Sequence, residues 1–170
     1  EQQLKLFSDR YIAVGEIGLD FYWDTTFAAE QKDALIKQLQ WANQYNKPVD
    51  LHIRNAYAEM FEILKDIEVH RKGVFHCFSG DISEAWKAVE MGYALGIGGV
   101  ATFKKSLLVD IVREIPLEHI VIETDSPYLA PTPFRGKRNE SSYCKIIAEK
   151  IAEIKSLSPE EVAIVTTQNA

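Results

Sequence analysis

Short apolar runs alternate with longer stretches in which apolar residues recur every three or four positions, and this continues along the whole chain. The short runs are rich in Val and Ile and predict strands at Tyr11 to Gly18, Pro48 to Arg54, Gly73 to Ser79, Tyr93 to Gly98 and Ile120 to Asp125. The longer stretches predict helices. Met60, Ile63, Leu64 and Ile67 lie on one helical face, and Asp81 with Glu84 has the spacing of a capping box. Ser158, Pro159 and Glu161 mark a second start, with serine as N-cap, proline in the first turn and the glutamate reaching back. Strands alternating with helices are the pattern of βαβ units and a parallel sheet, so the predicted class is α/β. No repeat of fixed length and no low-complexity stretch interrupts it. One Pro- and Gly-containing loop, Pro127 to Arg138, follows the last strand.

The informative positions are those at which a strand carries a charge. An apolar parallel strand has little reason to hold a histidine or a carboxylate, yet four strands do so near their ends. Side-chain alternation puts Val14, Glu16 and Gly18 on one face of the first strand and Asp50, His52 and Arg54 on one face of the second. It likewise groups Val74, His76 and Phe78, then Val121, Glu123 and Asp125. In a (β/α) barrel, polar residues at the carboxyl ends of several strands meet at a common centre. On that reading Glu16, His52, His76 and Asp125 converge. Two imidazoles and two carboxylates suit a hard or borderline divalent metal such as Mg, Mn or Zn. Each residue also has a plain structural reading. A strand histidine can be a hydrogen-bonded core residue, Asp125 before Ser126-Pro127 can simply open a turn, and Glu16 can pair with Arg54. Those readings account for single residues and not for the set.

Composition narrows the function. With 46% hydrophobic residues in 170, the chain can bury a core and is expected to form a single domain over residues 1–170. Nineteen basic against 25 acidic residues give a net charge of −6. That argues against a surface that holds nucleic acid by bulk electrostatics, so any phosphate contact must be local. The cysteines, Cys77 and Cys144, have no Cys-x-x-Cys spacing, and no long apolar span or cleavable leader is visible. A cytoplasmic protein without a membrane segment is expected. Tyr22 and Trp23 follow the first strand and either pack against their loop or stack on a base or sugar. Arg135, Lys137 and Arg138 around Gly136 either bind a phosphate or form a solvated basic run. His70 and His119 lie among charged residues and receive no role.

Taken in order, Gly15-Glu16-Ile17-Gly18-Leu19-Asp20, His52-Ile53-Arg54, His76-Cys77-Phe78-Ser79-Gly80 and Glu123-Thr124-Asp125-Ser126-Pro127-Tyr128-Leu129 resemble the motifs of the TatD family of metal-dependent deoxyribonucleases. Arg135 to Glu140 resembles the loop after that family's aspartate strand. The resemblance covers nearly the whole chain. It implies a distorted TIM-type barrel of the amidohydrolase superfamily with one or two divalent metal ions. It also implies deoxyribonuclease activity that includes 3′-to-5′ trimming of DNA, with single-stranded DNA as the expected partner. Carried over by position, Glu16 would bridge two metals, His52 and His76 would bind one, and Asp125 would take the proton of the attacking water. Arg54, Tyr22, Arg135, Lys137 and Arg138 become candidates for substrate contact, with Asp20 and Glu123 as supporting carboxylates.

One family feature is absent from the sequence: the His-x-His pair of the first barrel strand. Residues Glu1 to Arg10 read like the end of a helix, so an incomplete TIM-type (β/α) barrel lacking about two βα units of a fold of about 250 residues is expected. Such an open barrel exposes strand edges, which predicts low stability, self-association or filling of the gap by a partner chain. Two other functions stand beside the nuclease. The same chemistry can hydrolyse an ester or amide, as in an aminoacyl-tRNA deacylase, and the chain can be a non-catalytic remnant.

Overall fold

The computed structural model describes residues 2–170, and by its contacts the chain divides into two compact units, Glu1–Phe75 and His76–Ala170. In the first unit the order is α1 (Gln2–Phe7), β1 (Val14–Asp20), α2 (Ala28–Gln44), β2 (Val49–Arg54) and α3 (Tyr57–Asp66). β1 and β2 run parallel, with Gly18 opposite His52 and Asp20 opposite Arg54. α2 packs on β1 through Leu35, Leu39 and Ala42, all fully buried. α3 buries Tyr57, Met60, Phe61 and Leu64, and its rings of Tyr57 and Phe61 pack on Phe75 with centroids 6.4 and 5.8 Å away. Gly18 is needed for close approach of the two strands, because a Cβ there would lie 1.8 Å from the His52 carbonyl oxygen.

β3 (Val74–His76) leads into the second unit, which continues with α4 (Ile82–Glu90), β4 (Ala94–Ile97), α5 (Leu108–Glu114), β5 (Ile120–Ile122), α6 (Cys144–Lys155) and α7 (Pro159–Asn169). β4 and β5 are parallel, in the register Leu95 with Ile120 and Ile97 with Ile122. Past β3 the backbone N–H of Phe78 donates to the Gly96 carbonyl at 3.0 Å. α6 and α7 bury Ile147, Ile151 and Val162. The end of α7 is tied down by Asn169 Nδ2, which donates to the carbonyls of Leu117 and Ile120 at 2.8 Å each.

All five predicted strands form, and the class is α/β with parallel pairing in each unit. The capping box forms in full: Glu84 N–H donates to Asp81 Oδ1 at 2.8 Å, and Asp81 N–H to Glu84 Oε2 at 2.7 Å. At α7, Ser158 Oγ accepts from Glu161 N–H at 3.1 Å. The strand ends differ from expectation. β1 starts at Val14 and runs on to Asp20, and its register shifts between Val14 and Ile17. Glu16 therefore leaves the simple alternation that grouped it with Val14. β3 stops at His76 because Cys77 takes a left-handed φ of 44°, which turns Phe78 into the core instead of beside His76. β5 stops at Ile122, so Glu123 and Asp125 belong to the following loop, with Asp125 at φ 50°. Among the described residues no helix is long and apolar enough to cross a membrane.

Candidate functional site

In the first unit the end of β2 presents Asp50, His52 and Arg54 on one face, as alternation predicts, while Leu51 and Ile53 point into the core. The shared register brings the neighbouring end of β1 alongside. His52 Nδ1 lies 2.8 Å from Glu16 Oε1, and its Nε2 lies 3.3 Å from Asp20 Oδ2. Glu16 thus meets His52, and the alternative pairing of Glu16 with Arg54 is not the one formed. The Arg54 guanidinium instead sits 3.8 Å over the ring of Tyr22 and 5.7 Å from that of Trp23.

The second unit repeats the pattern. His76 Nδ1 lies 2.5 Å from Glu123 Oε2, and its Nε2 lies 3.6 Å from Asp125 Oδ1. This imidazole is the more enclosed of the two, with a side-chain exposure of 15% against 34% for His52. Asp125 also opens a turn, its carbonyl accepting the Tyr128 N–H at 2.9 Å, so the plain reading holds for its backbone while its carboxylate faces His76.

Each unit therefore contains a Glu–His–Asp arrangement with a short contact at Nδ1 and a longer one at Nε2. A neutral imidazole donates from one nitrogen and accepts at the other. In each ring Nδ1 is the nitrogen held by the closer glutamate, which leaves Nε2, beside the aspartate, as the one placed to meet a cation. The chemistry of the donors, imidazole nitrogen and carboxylate oxygen, fits a divalent metal of the hard or borderline kind. The geometry is that of partial shells: among the described residues no group of three or more His, Cys, Asp or Glu is arranged to hold an ion.

Of the remaining candidates, Tyr22 is 48% and Trp23 80% exposed, their rings edge to face at 4.7 Å. Arg135 lies over the Phe103 ring at 4.4 Å, and Lys137 and Arg138 are exposed. His70 is exposed and His119 half-buried. Sequence reasoning missed Asn139, which is 2% exposed and clamps the loop that carries Asp125. Its Nδ2 donates to the carbonyls of Thr124 and Tyr128, the latter at 2.6 Å, and its own N–H donates to the Pro127 carbonyl at 3.0 Å. An asparagine in a polar loop carries no signal that separates such a clamp from an ordinary turn residue.

Comparison with known proteins places this geometry in context. The chain is 42% identical to the uncharacterized metal-dependent hydrolase YabD of Bacillus subtilis over 95% of its length and 64% of that protein. It is 39% identical to the uncharacterized metal-dependent hydrolase YcfH of Escherichia coli over 93% of its length and 60% of that protein. It therefore spans less than two thirds of the length of these curated relatives. Among solved structures, YJJV, a TatD homologue from Escherichia coli K12, superposes with a TM-score of 0.92 at 32% identity, over 99% of this chain and 67% of that one. The profile of the family described as TatD related DNase matches residues 2–170, and the chain belongs to that family.

Proposed function

We propose that the protein is a metal-dependent hydrolase that cleaves the phosphodiester bonds of DNA, trimming single strands from the 3′ end. The observation that carries the proposal is the paired arrangement of His52 with Glu16 and Asp20, and of His76 with Glu123 and Asp125. The names borne by the family and by its relatives support hydrolysis and a metal requirement.

In this reading the metal ligands, for Mg, Mn or Zn, are Glu16 and His52 in the first unit and His76 and Asp125 in the second. When bound, a divalent cation offsets charge on the phosphate and makes water a better nucleophile at neutral pH. The protein's own groups do the rest. Asp125 accepts the proton of the attacking water at its carboxylate. Glu123 holds the His76 ring through Nδ1, and Glu16 holds the His52 ring in the same way. Arg54 and the loop with Arg135, Lys137 and Arg138 supply the local positive charge that a chain of net charge −6 does not supply globally.

The test is cleavage of a 5′-labelled single-stranded oligonucleotide with magnesium or manganese. It uses this chain, a form extended to the length of the curated relatives, and Asp125→Asn in each. Stepwise shortening from the 3′ end that Asp125→Asn abolishes supports the nuclease. If neither wild-type form cuts DNA while both bind metal, the phosphodiester reading fails and an ester or amide substrate replaces it.

A further inference from the structure

We propose that Trp23, Tyr22 and Arg54 form a stacking platform that takes an unpaired base next to the scissile phosphate, and that this platform, more than charge, provides affinity for the strand. The proposal rests on the phosphodiester reading above and concerns only the first unit.

Three observations converge on these residues. Trp23 exposes 80% of its surface, and Tyr22 at 48% is covered on one side by the Arg54 guanidinium 3.8 Å above its ring. A large exposed aromatic beside a cation already held over its neighbour is a surface ready for a flat π-system. The backbone at Tyr22 is also tied to the His52 cluster. Tyr22 N–H donates to Asp20 Oδ1 at 2.9 Å, and Asp20 Oδ2 is 3.3 Å from His52 Nε2. Finally, Arg54 shares a strand face with His52 two residues away, a rise of about 6.6 Å. The Arg54 guanidinium in turn lies 5.7 Å from the Trp23 ring. A strand with a base on Trp23 would then run past Arg54 towards His52.

The overall charge favours stacking over bulk electrostatics. At −6 the chain has no net attraction for a polyanion at long range. Stacking is indifferent to that charge and tolerant of sequence, because every base has a π-face. Binding should therefore depend weakly on salt, with a slope of about −0.7 for each phosphate neutralised by Arg54 or its neighbours and not the steep slope of a basic groove.

The test is equilibrium binding of a short 5′-labelled single-stranded DNA by anisotropy, with magnesium, in the Asp125→Asn background. It compares the normal strand with one that is abasic at its last two 3′ positions. The parent should bind the normal strand about tenfold or more tightly than the abasic one. Trp23→Ala should erase that difference without changing affinity for the abasic strand, and Trp23→Phe should retain most of it. Because Trp23 is exposed, neither change threatens the fold. If Trp23→Ala discriminates as the parent does, or the salt slope is that of many phosphates with no dependence on bases, the platform is overturned while DNA cleavage by the wild type still stands. If neither strand binds and the wild type does not cut DNA, the phosphodiester reading falls and the platform with it.

Discussion

Glu123 grips two groups at once: Oε2 stands 2.5 Å from His76 Nδ1, and Oε1 accepts the backbone N–H of Cys77 at 2.6 Å. The carboxylate is thus oriented by the chain it helps to orient, and the His76 ring is fixed before any ligand arrives. In the proposed function His76 ligates metal, and carboxylates behind such a histidine are typically worth 10- to 100-fold in metal affinity. Glu123→Gln should weaken manganese binding by about that factor in a calorimetric titration while the far-UV spectrum stays unchanged. Equal affinity in the variant would make Glu123 a purely structural residue.

Gly18 sets the spacing of β1 and β2, and with it the position of His52. A Cβ at Gly18 meets the His52 carbonyl oxygen at 1.8 Å and its carbonyl carbon at 2.7 Å, both backbone atoms that cannot rotate away. Gly18→Ala should lower stability by about 1–3 kcal/mol or more. Urea denaturation would show this as a lower midpoint at unchanged slope.

The buried amide of Asn139 holds the carbonyls of Thr124 and Tyr128 on either side of Asp125. Asn139→Ala leaves both acceptors without that donor, at a cost of about 1–3 kcal/mol. The loss should be local. Hydrogen exchange at the Tyr128 amide, which donates to Asp125, should speed up while the amides of α6 keep their protection.

Burial pushes the phenol of Tyr93 well above the ordinary tyrosine value of 10.0. In the unfolded chain that phenol ionises near pH 10, whereas in the folded protein it stays protonated to higher pH. Its contribution is therefore intact below pH 10 and is lost as pH rises beyond it, at about 1.4 kcal/mol per pH unit. In Tyr93→Phe the fall in stability above pH 10 should be shallower by that amount, as read from urea midpoints at stepped pH. An identical slope would show that another group titrates.

Much of this was legible from sequence because it is local. Val- and Ile-rich runs gave five strands, and the Asp81–Glu84 spacing gave a complete capping box. The alternation through Asp50, His52 and Arg54 survived because β2 is regular over its whole length. It failed where the backbone departs from regularity: the shifted register between Val14 and Ile17, the left-handed Cys77, and Asp125 beyond the end of β5. Those departures re-aim side chains, and no short-range pattern announces them. The partners of the charged residues were likewise hidden, because the choice of Glu16 for His52, Glu123 for His76 and Phe103 for Arg135 depends on contacts between distant segments. Asn139 escaped for the same reason.

The most direct test of the central claim is the rate of 3′-end shortening of a single-stranded oligonucleotide by metal-stripped protein, before and after manganese is returned, using the form extended to the relatives' length. A metal-dependent nuclease gives no shortening when stripped, recovery on adding the metal, and no recovery in Asp125→Asn. Shortening that persists in the stripped protein, or that Asp125→Asn leaves at the wild-type rate, would contradict it.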